Sequence, residues 1–133
     1  MTTPLLLWTD KHRIGIDPLD YEHQTLFRVI SELVDELDRH EDHDRIDAAL
    51  GEIHARMSAH FALEEKFMRD NKYADYAAHK AEHDEFLDRF TDEMVRIQND
   101  PDVLDSAALR GDLGRWIEGH VLTLDTRMSA ATR

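Results

Sequence analysis

The stretch IDAALGEIHARMSAHFALEEKFM, residues 46–68, predicts one amphipathic α-helix. Its apolar side chains recur at steps of three and four, which is the period of a helix with one buried face. Those side chains are Ile46, Leu50, Ile53, Met57, Phe61 and Met68. At about 100° per residue, Glu64 lies in the middle of that face and His60 beside it. Because a buried imidazole or carboxylate is costly unless another group satisfies it, this helix also predicts a polar site inside the fold.

Three further stretches have the same period, and each has polar residues within its apolar face. The first begins at Asp17-Pro18, where an acidic side chain followed by proline favours a helix start. The other two run from about Tyr76 to Ile97 and from about Leu109 to Met128. The sequence therefore predicts an all-α fold, an up-down-up-down antiparallel four-helix bundle over residues 17–128. We expect an extended N-terminal arm at residues 1–16 and a single domain over residues 1–133.

Composition excludes several classes of function. The net charge of −13 disfavours binding to nucleic acid and to anionic membranes, since both are recognised through clustered Lys and Arg. No apolar run approaches the roughly 20 residues that cross a bilayer. The absence of cysteine excludes disulfides, thiolate zinc sites and cysteine-bound iron–sulfur clusters. A cytoplasmic protein fits these features best.

Seven polar residues on the four predicted helices have the spacing of metal ligands. They are His23 alone, then the pairs His60 with Glu64, His79 with His83, and His120 with Asp125. Residues four apart on a helix project in nearly the same direction, so the second and third sets can each reach one point. Asp125 is five residues after His120 and diverges from it by about 140° on an ideal helix. Asp125 must therefore reach sideways, or the last turn must distort.

The chemistry of this set favours a pair of transition-metal ions. Five imidazoles with two carboxylates suit iron, zinc or copper better than magnesium or calcium. Seven ligands exceed the four of a zinc site, whereas two metals bridged by the carboxylates would use them all. The ferritin-like arrangement needs Glu-x-x-His motifs, and this chain has none. Spacing alone leaves zinc and manganese open as alternatives to iron.

Single members of this set, taken alone, have ordinary structural explanations that do not involve a metal. A lone histidine on an apolar face, such as His23, is usually a satisfied core residue. A carboxylate in the middle of an apolar face, such as Glu64, is harder to explain without a partner. The remaining histidines fall in polar stretches or at the edge of an apolar face, and we expect them on the solvated surface. These are His12, His40, His43 and His54.

Several short motifs give the chain a family resemblance. They are Gly15-Ile16, Asp20-Tyr21-Glu22-His23, His60-Phe61-Ala62-Leu63-Glu64-Glu65, Met68, Tyr73, His79 with His83, and Trp116-Ile117-Glu118-Gly119-His120-Val121 with Asp125. With these motifs, spread from about Trp8 to Met128, the chain resembles the bacterial hemerythrins. One departure is Glu22, where many relatives have Gln; it adds charge near the site without removing a ligand.

The resemblance implies a non-haem diiron centre and assigns a role to each residue. His79, His83 and His120 would bind one iron, and His23 and His60 the other, which keeps an open position for dioxygen. Glu64 and Asp125 would bridge the two irons, together with an oxo or hydroxo group from solvent. Trp116, Ile117 and Val121 match positions that wall the oxygen pocket.

The function implied by the resemblance is reversible dioxygen binding, as a carrier, store or supplier of oxygen, and not enzymatic catalysis. An oxygen or redox sensor domain is one alternative, and a diiron peroxidase or nitric oxide scavenger is another. An oxygen-consuming protein or a reductase would be a partner of unknown identity. Oxygen affinity, autoxidation rate, oligomeric state, electron donor and the length of the parent protein stay open.

Overall fold

The computed structural model describes residues 8–39 and 42–132, and it contains helices and no strand within those ranges. The long helices are α1 Asp17–Arg39, α2 His43–Asp70, α3 Tyr76–Asn99 and α4 Ser106–His120. After α4 the helical path continues through a π-helical turn, Val121–Asp125, into α5 Thr126–Thr132. Short 3₁₀ turns lie at Asp10–His12 and Pro101–Val103.

The helices enclose one apolar core along the axis of the bundle. Consecutive helices α1, α2 and α3 pack side by side, and α4 lies against α1. The fully buried core side chains come from the apolar faces that the sequence predicts. They include Phe27, Ile30, Val34, Leu50, Ile53, Met57 and Phe61. The prediction of an all-α four-helix bundle is confirmed.

Acidic caps set the start of two of the helices. The Asp42 carboxylate accepts a hydrogen bond from the Asp44 amide at 2.9 Å, where α2 begins. The Asp105 carboxylate accepts from the Ala108 amide at 3.0 Å, where α4 begins. Each cap satisfies an amide that has no partner within its own helix. Helix α2 therefore begins three residues before Ile46, the first apolar residue of its predicted face.

The described part of the arm folds back onto the first and the last helices. The Asp20 carboxylate accepts hydrogen bonds from the Ile14 amide at 2.7 Å and the Gly15 amide at 3.1 Å. The Ser129 hydroxyl on α5 donates to the Ile14 carbonyl. Gly15 has φ of 87°, a left-handed conformation that glycine adopts without strain. Residues 1–7 of the predicted arm lie outside the described ranges, and residues 8–16 are tied down rather than simply extended.

The prediction that His12 is solvated is wrong. Its side chain is 2% exposed and lies with its ring edge-on to Phe27, at 5.0 Å between centroids. The ring accepts a hydrogen bond at Nδ1 from the Thr9 amide (3.1 Å), and its Nε2 lies 3.2 Å from the Glu118 carboxylate. The residues next to His12 in sequence are polar, which predicts exposure. The arm turns back onto the bundle, and helical periodicity cannot predict such a turn. His43 is exposed and His54 half-buried, while His40 lies outside the described residues.

Among the described residues, no helix has the length and apolar content required to span a membrane.

Candidate metal centre

All seven residues of the predicted site converge in the middle of the bundle. His23 comes from α1, His60 and Glu64 from α2, His79 and His83 from α3, His120 from α4, and Asp125 from the π-helical turn. Their exposed fractions lie between 0% and 4%. The inward orientation that the sequence predicts for six of them is confirmed, and Asp125 is buried as well. Five imidazoles and two carboxylates therefore share one desolvated space.

Glu64 lies between two sets of histidines. Its Oε2 atom is 2.8 Å from Nε2 of His23 and 2.9 Å from Nε2 of His60. Its Oε1 atom faces the other way, 3.1 Å from Nε2 of His83. The same oxygen is 3.5 Å from Nε2 of His79 and 3.6 Å from Nε2 of His120. One carboxylate thus directs one oxygen at each set.

Asp125 repeats this arrangement from the opposite side of the site. Its Oδ2 atom lies 3.1 Å from Nε2 of His23. Its Oδ1 atom lies 3.0 Å from Nε2 of His79 and 3.1 Å from Nε2 of His120. These distances are short, yet neither carboxylate oxygen of Asp125 has a hydrogen bond of acceptable geometry to any described residue. A buried carboxylate without hydrogen bonds needs positive charge close by, which protonated imidazoles or a bound cation can supply.

The π-helical turn explains how Asp125 enters the site. A π turn closes over one more residue than an α turn, so a residue five positions on returns close to the same face. The Thr126 hydroxyl donates to the Val121 carbonyl at 3.0 Å, and the Thr123 hydroxyl donates to the Gly119 carbonyl at 2.6 Å. Of the two alternatives raised by the sequence, a sideways reach or a distorted turn, the structure has the distorted turn.

The donor atoms have the spacing of ligands to a shared cation. Nε2 of His120 is 3.0 Å from Nε2 of His79 and 3.0 Å from Nε2 of His83. Two nitrogens bound to one ion at a right angle, with bonds of about 2.1 Å, lie roughly 3.0 Å apart. Two groups of donor atoms each fall within 4.8 Å of one another. One group is Glu64, His79, His83, His120 and Asp125, and the other is His23, His60, Glu64 and Asp125.

Electrostatics within the cluster favour the charged form of every group whose pKa is shifted. Burial alone lowers the pKa of His23, but the adjacent carboxylates of Asp125 and Glu64 outweigh burial and raise that pKa to about 10. The same balance raises the pKa of His120 to about 10. Burial would raise the pKa of Glu64, yet the facing imidazoles, His60 first, hold it well below its usual range. The site therefore holds protons when no metal replaces them.

Aromatic rings pack against the three-histidine side of the cluster. Trp116 stacks on His120 with 4.7 Å between centroids, and Phe61 stacks on His83 at 4.0 Å. Ile117 and Val121 are each 2% exposed. The resemblance assigns Trp116, Ile117 and Val121 to an oxygen pocket. The structure places the Trp116 ring against His120 of the three-histidine set, while Ile117 and Val121 belong to the apolar core around the site.

Two acidic residues outside the predicted ligand set contact the outer ring nitrogens of the histidines. Glu65 Oε2 lies 2.9 Å from Nδ1 of His83, and Glu82 Oε1 lies 3.4 Å from Nδ1 of His120. Each is next in sequence to a member of the cluster, Glu65 after Glu64 and Glu82 before His83. Glu65 also belongs to the motif His60-Phe61-Ala62-Leu63-Glu64-Glu65, but neither that motif nor the adjacency indicates which histidine each glutamate would reach.

Known proteins match this chain over most of its length. The model of the family described as the hemerythrin HHE cation binding domain matches residues 14–130. A bacteriohemerythrin from Pseudomonas aeruginosa is 33% identical over 128 residues, covering 96% of this chain and 82% of the relative. The chain belongs to the hemerythrin family. The predicted resemblance is thereby confirmed.

Further relatives and a solved structure agree with this membership. A bacteriohemerythrin from Stenotrophomonas maltophilia is 33% identical over 122 residues, covering 88% of this chain and 74% of the relative. A myohemerythrin from Riftia pachyptila is 28% identical over 120 residues, covering 90% of this chain and 87% of the relative. A crystal structure of a hemerythrin mutant has a TM-score of 0.85, with 24% identity and 98% of each chain covered. That last likeness establishes the fold.

Proposed function

We propose that this chain is a non-haem diiron protein that binds dioxygen reversibly. The observation that supports this most strongly is the orientation of the Glu64 carboxylate, with one oxygen toward His23 and His60 and the other toward His83. A carboxylate placed in this way suits two neighbouring cations, one beside each oxygen. On the opposite side of the site, the Asp125 carboxylate likewise has one oxygen toward His23 and the other toward His79.

In this proposal the seven side chains bind two irons unequally. His79, His83 and His120 would hold one iron, and His23 and His60 would hold the other. Glu64 and Asp125 would each offer one carboxylate oxygen to either iron. The unpaired carboxylate oxygens of Asp125 and the 3.0 Å spacing of the histidine nitrogens support this assignment. The two-histidine side, with fewer protein ligands, leaves room for dioxygen.

The surrounding residues provide the conditions that reversible binding requires. A diiron centre held by these residues would supply the two electrons that reversible dioxygen binding requires. The core side chains of Phe61, Ile117 and Val121 exclude water from the site, and a dry apolar shell limits irreversible oxidation. The imidazoles must be deprotonated at Nε2 to bind metal, so the cluster would give up on metal binding the protons that it otherwise retains. We assign Ile117 and Val121 to the wall of the oxygen pocket, and Trp116 to support of His120.

We propose a carrier or store that supplies dioxygen to an oxygen-consuming protein in the cytoplasm, without catalysis. Anaerobically reduced, iron-loaded protein should gain a visible absorption band on exposure to oxygen and lose it when oxygen is removed, over repeated cycles. Zinc-loaded protein is the matched control, because zinc has no redox chemistry and should give no band. Conversion to a permanently oxidised form in the first cycle would contradict reversible binding, and sustained turnover with a reductant would favour an enzyme.

A further inference from the structure

We infer that Glu65 and Glu82 are positioning residues that make the two proposed iron positions chemically unequal. This inference rests on the proposed diiron function and concerns residues outside the seven ligands. Both glutamates accept hydrogen bonds from ring nitrogens that point away from the centre of the site. Both of the histidines they contact, His83 and His120, belong to the three-histidine set.

The contact between Glu65 and His83 is the shorter and more buried of the two. Its Oε2 atom lies 2.9 Å from Nδ1 of His83, and its side chain is only 14% exposed. The opposite nitrogen of the same ring, Nε2, points into the site, 3.1 Å from Glu64 Oε1. Phe61 stacks on the His83 ring at 4.0 Å with an interplanar angle of 8°. The ring is therefore fixed both by its face and by its outer nitrogen.

The contact between Glu82 and His120 is longer than that of Glu65 and more exposed to solvent. Its Oε1 atom lies 3.4 Å from Nδ1 of His120, and its side chain is 42% exposed. Solvent weakens a charged hydrogen bond at such an exposed position. Trp116 stacks on the His120 ring and restrains its orientation independently of Glu82. We therefore expect Glu82 to contribute less than Glu65.

The other three histidines of the cluster lack such acceptors. The Nδ1 atoms of His23, His60 and His79 are buried and have no hydrogen-bond partner among the described residues. Both members of the two-histidine set are thus without a charged acceptor, whereas two of the three members of the other set have one. The two histidine sets therefore differ in how many of their outer nitrogens face a carboxylate, as well as in how many histidines they contain.

A carboxylate on the outer nitrogen changes how an imidazole binds metal. An imidazole that binds through Nε2 keeps its proton on Nδ1, and an acceptor there fixes the ring orientation and makes Nε2 a stronger donor. A stronger, anion-assisted donor favours the more positive oxidation state of the bound ion. The iron held by His79, His83 and His120 should accordingly be the more tightly retained and the harder to reduce.

Four variants test this inference: E65A, E65Q, E82Q and E85Q. E65A removes the acceptor, E65Q retains an oxygen acceptor without charge, and E85Q removes one exposed charge from α3 as the matched control. In iron-loaded protein, E65A should release the slower-leaving iron to a chelator about 10–100-fold faster than the unsubstituted chain. E65Q should be intermediate and E82Q closer to the unsubstituted chain. The midpoint potential should rise in E65A and E65Q, while E85Q should change neither property.

The outcomes separate this inference from the proposed function. If the unsubstituted chain fails to bind two irons, the diiron proposal fails, whatever the variants do. If it binds two irons and E65A matches it in both release rate and potential, the positioning role of Glu65 is overturned. An E85Q shift as large as that of E65Q would also overturn it, because the effect would then be one of general charge. E65Q nearly preserves side-chain shape, so it tests the potential even if E65A folds poorly.

Discussion

His120 and Asp125 are five residues apart in the chain, yet Nε2 of His120 lies 3.1 Å from Oδ1 of Asp125 in the interior of the bundle. On a regular α-helix these side chains would diverge by about 140°. The π-helical turn at Val121–Asp125 removes that divergence. A local irregularity of the backbone, rather than an unusual side-chain conformation, therefore completes the site.

The π-helical turn should depend on the hydroxyl of Thr126. This hydroxyl donates to the Val121 carbonyl at 3.0 Å, within the turn that the π geometry widens. Replacing Thr126 with Val keeps the shape and removes the donor, so we expect a loss of about 1 kcal/mol in the free energy of unfolding. Urea denaturation of metal-free protein measures this. T132V, which removes a hydroxyl in the last turn of α5, should change stability by much less. Equal effects of the two variants would show that the wide turn does not need Thr126.

Burial of His12 predicts that the arm contributes to stability. His12 is 2% exposed and packs on Phe27, and it accepts from the Thr9 amide. Replacing His12 with Ala leaves a cavity beside Phe27, so the free energy of unfolding should fall by about 2–4 kcal/mol. His43 is exposed, and H43A should stay within about 0.5 kcal/mol of the unsubstituted chain. Thermal or urea unfolding distinguishes them, and an H12A variant as stable as H43A would mean that the arm is not docked as described.

The metal-free protein should lose stability as pH rises above neutrality. The pKa values of His23 and His120 are raised from 6.5 to about 10 in the folded chain. A raised pKa contributes stability that is fully present below about 6.5 and is lost as pH rises through about 10. At the acid end, the pKa of Asp125 is lowered from 3.8 to about 2, so its contribution is lost as pH falls toward 2.

Urea denaturation of metal-free protein between pH 6.5 and 10 tests the alkaline limb set by these histidines. The free energy of unfolding should fall across that range. Metal affinity should rise over the same range, because imidazoles bind metal in their deprotonated form. A flat stability profile in metal-free protein would mean that the carboxylates do not hold protons on these imidazoles.

Two helix glycines should be replaceable with a gain in stability. A Cβ added at Gly51 or Gly119 would meet no described atom within 4 Å. Because glycine in a helix costs roughly 0.5–1 kcal/mol relative to alanine, G51A and G119A should each stabilise the chain by about that amount. At Gly111 the Cβ would lie 3.1 Å from the Arg115 guanidinium, so G111A should gain less. Differential scanning calorimetry measures all three. Destabilisation by G119A would show that this glycine is needed for close packing near the site.

The sequence was sufficient for the helices and for the burial of most of the cluster. Apolar side chains such as Phe27, Leu50 and Ile53 recur with helical period, and that period depends only on local geometry. His60 with Glu64 and His79 with His83 converge for the same reason, since residues four apart share a face. These features follow from the regular α-helix and need no knowledge of tertiary contacts.

Features that depend on irregular backbone or on distant contacts could not be predicted. Helical periodicity assumes a constant turn, so the sequence cannot decide between a π-helical turn at Asp125 and a sideways reach of its side chain. It does not predict the burial of His12, because the contacts that bury this residue, Phe27 and Glu118, are remote from the arm in sequence. It indicates no role for Glu65 and Glu82, because they lie at the edges of apolar faces, where a charged residue is ordinarily solvated.

Iron content per chain tests the central claim most directly. Metal analysis of anaerobically reconstituted protein should find two irons per chain, and E64A, which removes the carboxylate between His23, His60 and His83, should hold fewer. The exposed-charge variant E85Q should still hold two. Retention of two irons by E64A, or one iron or none in the unsubstituted chain, would contradict the claim that this cluster holds a carboxylate-bridged pair.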